Sequence, residues 1–126
     1  MKRLLLDTHV VLWWRAEPGR LSARARAAIA VADAVFVSAA SVWEIEIKAG
    51  IGRIRLPEPF VLGVQRSGFV RLPVTFEHAA RVGALPRHHA DPFDRMLVAQ
   101  AMEEDLVLVT ADARVLRYDV TTLVAT

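Results

Sequence analysis

The stretch Leu4-Leu5-Leu6-Asp7 is an uninterrupted apolar run that ends in a carboxylate. A run without polar alternation is typical of a short strand that is covered on both faces, as in a parallel sheet. The pattern recurs at Ala34-Val35-Phe36-Val37 and at Leu106-Val107-Leu108-Val109. Helical segments separate these runs, so strands and helices alternate along the chain. This alternation predicts a three-layer α/β domain with a mainly parallel sheet flanked by helices.

The remaining segments complete a single domain over residues 1–126. Two weaker strands are predicted at residues 69–72 and 120–124. Capping residues and apolar periodicity predict helices at residues 9–15, 22–32, 39–49, 60–66, 76–82 and 92–104. We expect Thr8, Ser38 and Thr75 to cap the helices that they precede.

Composition excludes several kinds of site. The chain has no cysteine, which rules out a disulfide framework, a thiolate metal site and a cysteine nucleophile. The formal net charge is +2, and 14 of the 16 basic residues are Arg because Lys2 and Lys48 are the only lysines. Arg suits phosphate contacts, although genomic base composition is the simpler cause of its abundance. No apolar run reaches the length of a signal peptide core or a membrane span, so we expect a cytoplasmic protein without membrane contact.

The segment HHADPFDR at residues 88–95 opens directly into an apolar helical pattern. Asp91 followed by Pro92 predicts a helix start, because Asp caps free amide groups and Pro at the first helical position loses no hydrogen bond. Asp94 falls in the first turn, at the rim of the face that the helix buries. Its carboxylate either completes a capping box with Asp91 or points into a cleft.

Four acidic residues are predicted to meet at one edge of the sheet. Asp7 ends the first strand, Glu44 follows the second, Asp112 follows the fourth, and Asp94 opens the preceding helix. In parallel sheets the reactive crevice lies at the carboxyl ends of the strands. Each acid alone is more simply a cap or an ion pair, but four like charges together imply a bound cation. Oxygen ligands favour Mg²⁺ or Mn²⁺, and such an ion supports phosphodiester hydrolysis.

The chain resembles the PIN domains and, among them, the VapC-type toxins of bacterial toxin–antitoxin pairs. The matching blocks are LDTH at 6–9, SAASVWEI at 38–45 with Lys48, HADPFDRMLVAQA at 89–101 and VTAD at 109–112. They follow the family's order and spacing over essentially the whole chain. The resemblance implies a five-stranded PIN-like sheet in the order 3-2-1-4-5. It also implies a metal-dependent endoribonuclease that cuts RNA and is inhibited by a cognate antitoxin whose tail fills the groove.

The resemblance also implies roles for individual residues. The expected ligands of Mg²⁺ or Mn²⁺, and hence the catalytic set, are Asp7, Glu44, Asp94 and Asp112. Thr8, Ser41 and Thr110 are expected to support these carboxylates as hydrogen-bond donors. Asp91 is a fifth acid near the site, and a helix cap explains it better than a metal ligand does.

Several residues carry weaker expectations. Arg87 and Arg95 are candidates for RNA phosphate contacts, whereas Arg15 is more simply a surface residue. The three tryptophans are interpreted as core or partner packing rather than RNA stacking, and Trp14 is assigned to a homodimer or antitoxin surface. His88 and His89 are left out of the catalytic set, because imidazoles in a loop before a helix are as often structural.

Three other interpretations of the sequence compete with this one. A phosphoaspartate receiver domain needs an Asp after the third strand and a Lys after the fifth, and neither residue is present. A haloacid-dehalogenase-like phosphatase needs a second Asp two residues after Asp7, where this chain has His9. A non-catalytic or regulatory RNA-binding PIN-like domain is harder to exclude, although the presence of all four acids argues against it.

Overall fold

Strands and helices alternate along the chain in a computed structural model, which describes residues 2–126. The strands are β1 (Arg3–Leu6), β2 (Ala34–Ser38), β3 (Val70–Leu72), β4 (Val107–Thr110) and β5 (Thr122–Val124). The helices are α1 (Thr8–Ala16), α2 (Ala23–Val31), α3 (Ala39–Gly50), α4 (Phe60–Arg66), α5 (Phe76–Val82) and α6 (Pro92–Glu104). Two short 3₁₀ turns cover Pro18–Arg20 and Val115–Arg117. The predicted α/β class is confirmed.

The five strands form one sheet in the order β3-β2-β1-β4-β5, and every neighbouring pair is parallel. In the central strand, Leu5 lies opposite Phe36 of β2 and Leu108 of β4. Leu4, Leu5 and Leu6 are each 0% exposed, as expected for a strand that is covered on both faces. The predicted sheet order is therefore confirmed.

Side chains of the central strand alternate between two apolar layers. Leu4 and Leu6 pack with residues of α1 to α4, including Ile29 and Phe60. Leu5 faces the other layer, where its cluster includes Leu97 of α6. Successive strand residues point to opposite faces, so one short strand joins both layers of the core. This arrangement gives the predicted three layers.

One predicted cap is wrong. The residue before α1 is Asp7, whose side chain makes no capping hydrogen bond, and Thr8 is already the first residue of the helix. Ser22, Ser38 and Thr75 do cap α2, α3 and α5 through their hydroxyl oxygens. Thr8 differs because its hydroxyl is directed to α3 instead.

The start of α6 agrees with the prediction from sequence. Asp91 Oδ1 accepts hydrogen bonds from the amides of Phe93 and Asp94, at 2.8 and 3.2 Å, and Pro92 occupies the first turn. These contacts fix where the helix begins, and hence where Asp94 lies.

Within residues 2–126, no helix is both long and apolar enough to cross a membrane.

Candidate active site at the carboxyl edge of the sheet

An open cavity of about 480 Å³ lies at the carboxyl edge of the sheet. Its lining includes residues from the ends of β1 and β4, from α3, and from the first turn of α6. The acidic residues that line it are Asp7, Glu44, Asp91, Asp94 and Asp112. The structure thus brings together the four acids that were predicted to meet.

Asp7 is a buried carboxylate with one partnered oxygen. Its Oδ2 accepts a hydrogen bond from the Thr110 hydroxyl at 2.7 Å. Its Oδ1 is buried and has no hydrogen-bond partner among residues 2–126. Burial raises the pKa of Asp7 above its usual value, although the Thr110 hydrogen bond acts in the opposite direction.

Glu44, like Asp7, has one carboxylate oxygen with a hydrogen-bond partner and one without. Its Oε2 accepts a hydrogen bond from Lys48 Nζ at 2.6 Å, one turn further along α3. Its Oε1 is buried and lacks a partner within the described part of the chain. An oxygen that is taken out of water without a replacement partner costs free energy. Two such oxygens, one from Asp7 and one from Glu44, belong to carboxylates that line the same cavity.

Asp94 carries the most perturbed carboxyl group of the site. Its side chain is 15% exposed. Burial is the main cause that raises the pKa of Asp94 to about 8, and the neighbouring carboxylates, beginning with Asp7, add to it. Without a cation, Asp94 therefore holds its proton near neutral pH. The capping box with Asp91 is not formed, because an Asp94 oxygen lies against His89 instead.

His89 is the residue that reasoning from sequence left out of the site. Its Nε2 lies 3.0 Å from Asp94 Oδ2 and 2.9 Å from Asp112 Oδ2. Its Nδ1 accepts a hydrogen bond from the Asp91 amide at 3.1 Å, and its own amide donates to Tyr118 Oη at 3.0 Å. The ring is buried, at 8% residue exposure. The sequence held one local indication of this role, because His89 lies two residues before the helix cap Asp91 and its ring is within reach of the Asp91 amide.

Asp112 is the most exposed of the four acids, with 34% of its side chain accessible. Its Oδ1 accepts a hydrogen bond from the Arg114 amide at 2.8 Å. Burial alone would raise the pKa of Asp112, but the bonds from Arg114 and His89 outweigh it and lower the pKa below its usual value. Asp112 and Asp94 are thus adjacent carboxyl groups with opposite pKa shifts.

The expected supporting residues have different contacts. Thr110 donates to Asp7, as described, and its Oγ1 also accepts the Asp112 amide at 3.0 Å. Thr8 donates to Ser41 Oγ at 2.9 Å, so these two hydroxyls link α1 to α3 and the Thr8 hydroxyl is not directed to a carboxylate. The Thr8 hydroxyl therefore makes no direct hydrogen bond to an acid.

Two arginines have contacts away from the cavity. The Arg95 guanidinium donates to the carbonyls of Pro86 and Val82, both at 2.9 Å, and to Tyr118 Oη at 3.2 Å. It braces the segment before α6, and a phosphate contact by Arg95 stays a prediction. Arg15 forms an ion pair with Glu58 at 2.7 Å, in agreement with its interpretation as a surface residue.

The tryptophans do not share one environment. Trp43 is 64% exposed and meets Phe93 edge-on, with ring centroids 5.2 Å apart. This exposure rules out core packing for Trp43, and packing against a partner stays a prediction. Trp13 lines the acidic cavity, and the Arg20 guanidinium lies 4.7 Å from its ring centroid. Trp14 packs against Phe69, with centroids 6.2 Å apart.

The donor set of the cavity fits a hard divalent cation. Buried oxygens without partners at Asp7 and Glu44 supply ligand atoms that the protein itself does not satisfy. Oxygen ligands of this kind suit Mg²⁺ or Mn²⁺. The nearby His89 nitrogen is a poorer candidate, because an Nδ1 that accepts the Asp91 amide leaves the ring proton on Nε2.

The chain matches known proteins in sequence and in fold. Residues 4–120 match the PIN domain. Ribonuclease VapC22 of Mycobacterium tuberculosis is 42% identical over 117 residues, which cover 90% of each chain. VapBC2 from Rickettsia felis, bound to a DNA fragment from its promoter, superposes with a TM-score of 0.69 at 14% identity, covering 96% of this chain and 97% of the other. A toxin–antitoxin complex from Klebsiella pneumoniae gives 0.66 at 16% identity, covering 96% of each.

Proposed function

Because the chain belongs to the PIN domain family, we propose that it is a metal-dependent endoribonuclease that hydrolyses RNA phosphodiester bonds. The observation that carries this proposal is the pair of buried oxygens without partners, Asp7 Oδ1 and Glu44 Oε1, on carboxylates that line one cavity with Asp94. The curated relative that shares 42% of its residues with this chain is named a ribonuclease. The arrangement of the acidic residues and the sequence similarity to a named ribonuclease thus support the same reaction.

The proposed ligands of Mg²⁺ or Mn²⁺ are Asp7, Glu44, Asp94 and Asp112. A divalent cation, when bound, lowers the pKa of a coordinated water and stabilises negative charge on the leaving oxygen. Thr110 and Lys48 each hold one oxygen of a ligand carboxylate, which leaves the other oxygen for the cation. Asp94 would hold such a cation as a carboxylate, because the positive charge would offset the effect of the neighbouring anions.

Asp91 is assigned a different role from the other acids. Its Oδ1 is engaged by the amides of Phe93 and Asp94, so its carboxylate serves the start of α6. We propose that Asp91 positions Asp94 through the helix and does not bind the cation.

The alternative is a non-catalytic domain that binds RNA through a relict site. A relict site no longer needs oxygens that are buried without partners, because their desolvation destabilises the fold. Asp7 and Glu44 both retain such an oxygen. This observation favours the catalytic proposal.

The proposed biological role is that of the toxin in a toxin–antitoxin pair acting in the cytoplasm. Support comes from the structural relatives, which include toxin–antitoxin complexes. A cognate antitoxin is the proposed protein partner.

We also propose a homodimer, for which the exposed apolar side chains Trp43 and Ile47 on α3 offer a contact surface. Light scattering of the purified chain, alone and with the antitoxin, measures both assemblies.

Cleavage of a labelled structured RNA tests the enzymatic proposal. The purified chain, freed of antitoxin, is expected to cut in Mg²⁺ or Mn²⁺ and to stop when a chelator is added. Asp7→Asn and Asp94→Asn are expected to abolish cutting while the protein remains folded. Asp119→Asn is the matched control, because Asp119 is exposed and does not line the cavity. Undiminished cutting by Asp94→Asn would remove that residue from the ligand set.

A further inference from the structure

One buried imidazole joins two of the carboxyl groups at the cavity. We propose that His89 is a positioning residue, which holds the carboxylates of Asp94 and Asp112 in the arrangement that binds the divalent cation. The proposal rests on the metal-dependent function given above. It extends that function to a residue outside the four acids and outside the cation's own ligands.

The tautomer of His89 follows from its backbone contacts. The Asp91 amide donates to His89 Nδ1 at 3.1 Å, and an amide nitrogen has only a proton to offer. Nδ1 is therefore unprotonated, and the ring proton of the neutral imidazole lies on Nε2. Asp91 itself is fixed as the cap of α6, and the His89 amide is held by Tyr118 Oη. The ring is thus oriented from two sides.

The Nε2 proton is directed to Asp112, and Asp94 lies beside the same nitrogen. Nε2 donates a hydrogen bond to Asp112 Oδ2 at 2.9 Å and lies 3.0 Å from Asp94 Oδ2, so one N–H stands between the two acids. When both acids are ionised, this donor offsets part of their mutual repulsion. Each carboxylate has a second oxygen and further lone pairs, so a bond to His89 leaves room for a cation. The same kind of outer contact orients ligands in many metal sites.

The alternative to a positioning role is that His89 binds the cation directly. Ligand atoms of His89, Asp94 and Asp112 do lie within 4.8 Å of one another. Coordination through Nε2 requires that nitrogen to lose its proton, which moves the proton to Nδ1. An Nδ1–H would then face the Asp91 amide N–H, and a hydrogen bond of the helix start would be replaced by a contact between two donors. The geometry therefore favours the positioning role.

Titration of Mn²⁺ into the purified chain by calorimetry tests the proposal without measuring catalysis. His89→Leu removes the donor, and we expect Mn²⁺ affinity to fall by about 10- to 100-fold, the range typical of outer contacts to metal ligands. His89→Gln restores an N–H donor at a similar reach, and we expect it to recover most of that loss. His88→Leu is the matched control, because the His88 ring packs edge-on against Tyr118, with centroids 4.9 Å apart, and does not line the acidic cavity. Urea unfolding in chelator establishes that each variant is folded.

Each outcome has a defined meaning. Unchanged Mn²⁺ affinity in His89→Leu would overturn the positioning role, and so would a His89→Gln variant as weak as His89→Leu. Pulsed electron paramagnetic resonance of the Mn²⁺-loaded wild type is expected to show no directly bound nitrogen. A nitrogen coupling that disappears in His89→Leu would make His89 a ligand instead. A wild type that binds no Mn²⁺ would overturn the proposed metal-dependent function, and this proposal with it.

Discussion

Replacement of Asp94 by Asn is expected to stabilise the metal-free protein while it removes the proposed activity. The Asp94 side chain lies among four other carboxyl groups and is 15% exposed. Asn keeps the shape but carries no charge at any pH. The variant therefore avoids the cost of placing an ionisable carboxyl group in a buried position among other carboxylates.

The size of the effect follows from the pKa of Asp94. Unfolded Asp94 loses its proton near pH 3.8, whereas the folded group holds it to about pH 8. Between these values the folded state binds more protons, so the stability of the wild type falls as the pH rises through this window. About four pKa units at about 1.4 kcal/mol each set an upper limit of about 6 kcal/mol. Water and salt in the open cavity reduce this limit, and we expect about 2 kcal/mol at pH 8.5.

Urea unfolding in chelator at pH 5.0 and pH 8.5 measures this prediction. The gain in free energy of unfolding for Asp94→Asn is expected to be larger at pH 8.5, because the wild type has lost stability over the whole range in which only folded Asp94 binds a proton. Asp119→Asn, at an exposed aspartate away from the cavity, is expected to change stability little at either pH. An Asp94→Asn variant that is no more stable than the wild type at pH 8.5, or equally stabilised at both pH values, would show that Asp94 does not destabilise the metal-free fold.

Three further predictions concern the groups that hold the site. Thr110→Val leaves Asp7 Oδ2 without its donor, and we expect a loss of about 1–3 kcal/mol in urea unfolding. Asp91→Ala removes the cap of α6 and is expected to cost about 1 kcal/mol, measured in the same way; a neutral result would contradict its role as the cap. Mn²⁺ at a concentration 100-fold above its dissociation constant is expected to stabilise the wild type by about 2.7 kcal/mol. The gain should be smaller in Asp7→Asn, and equal gains in thermal melts would remove Asp7 from the ligand set.

The fold was predictable because its main signals are local. Leu4, Leu5 and Leu6 form a run that is typical of a strand covered on both faces, and the structure buries all three. Helices α4, α5 and α6 begin and end at the predicted residues, since their caps and breakers lie within a few positions of each end. Strand β5 was predicted two residues too long, because edge strands carry a weaker apolar pattern.

The details of the site were less predictable because they depend on residues far apart in the chain. His89 meets Asp112 across 23 positions, and nothing in the sequence near either residue specifies that contact. Thr8 was expected to cap α1, but its partner Ser41 lies 33 positions away. Trp43 lies in an apolar helical pattern, and only the packing of α3 reveals that its ring faces outward. Asp7, Glu44 and Asp112 were predictable at one edge because parallel strands end there. Asp94 needed the further inference that its helix starts at the same edge.

Anomalous diffraction from crystals grown with Mn²⁺ tests the proposed metal site most directly. We predict one strong peak in the acidic cavity, about 2.0–2.3 Å from Asp7 Oδ1 and Glu44 Oε1, with Asp94 as a further ligand. His89 should remain bonded to the Asp91 amide and outside the coordination shell. No peak in this cavity, or a peak bound to His89 Nε2 and remote from Asp7 and Glu44, would contradict the assignment.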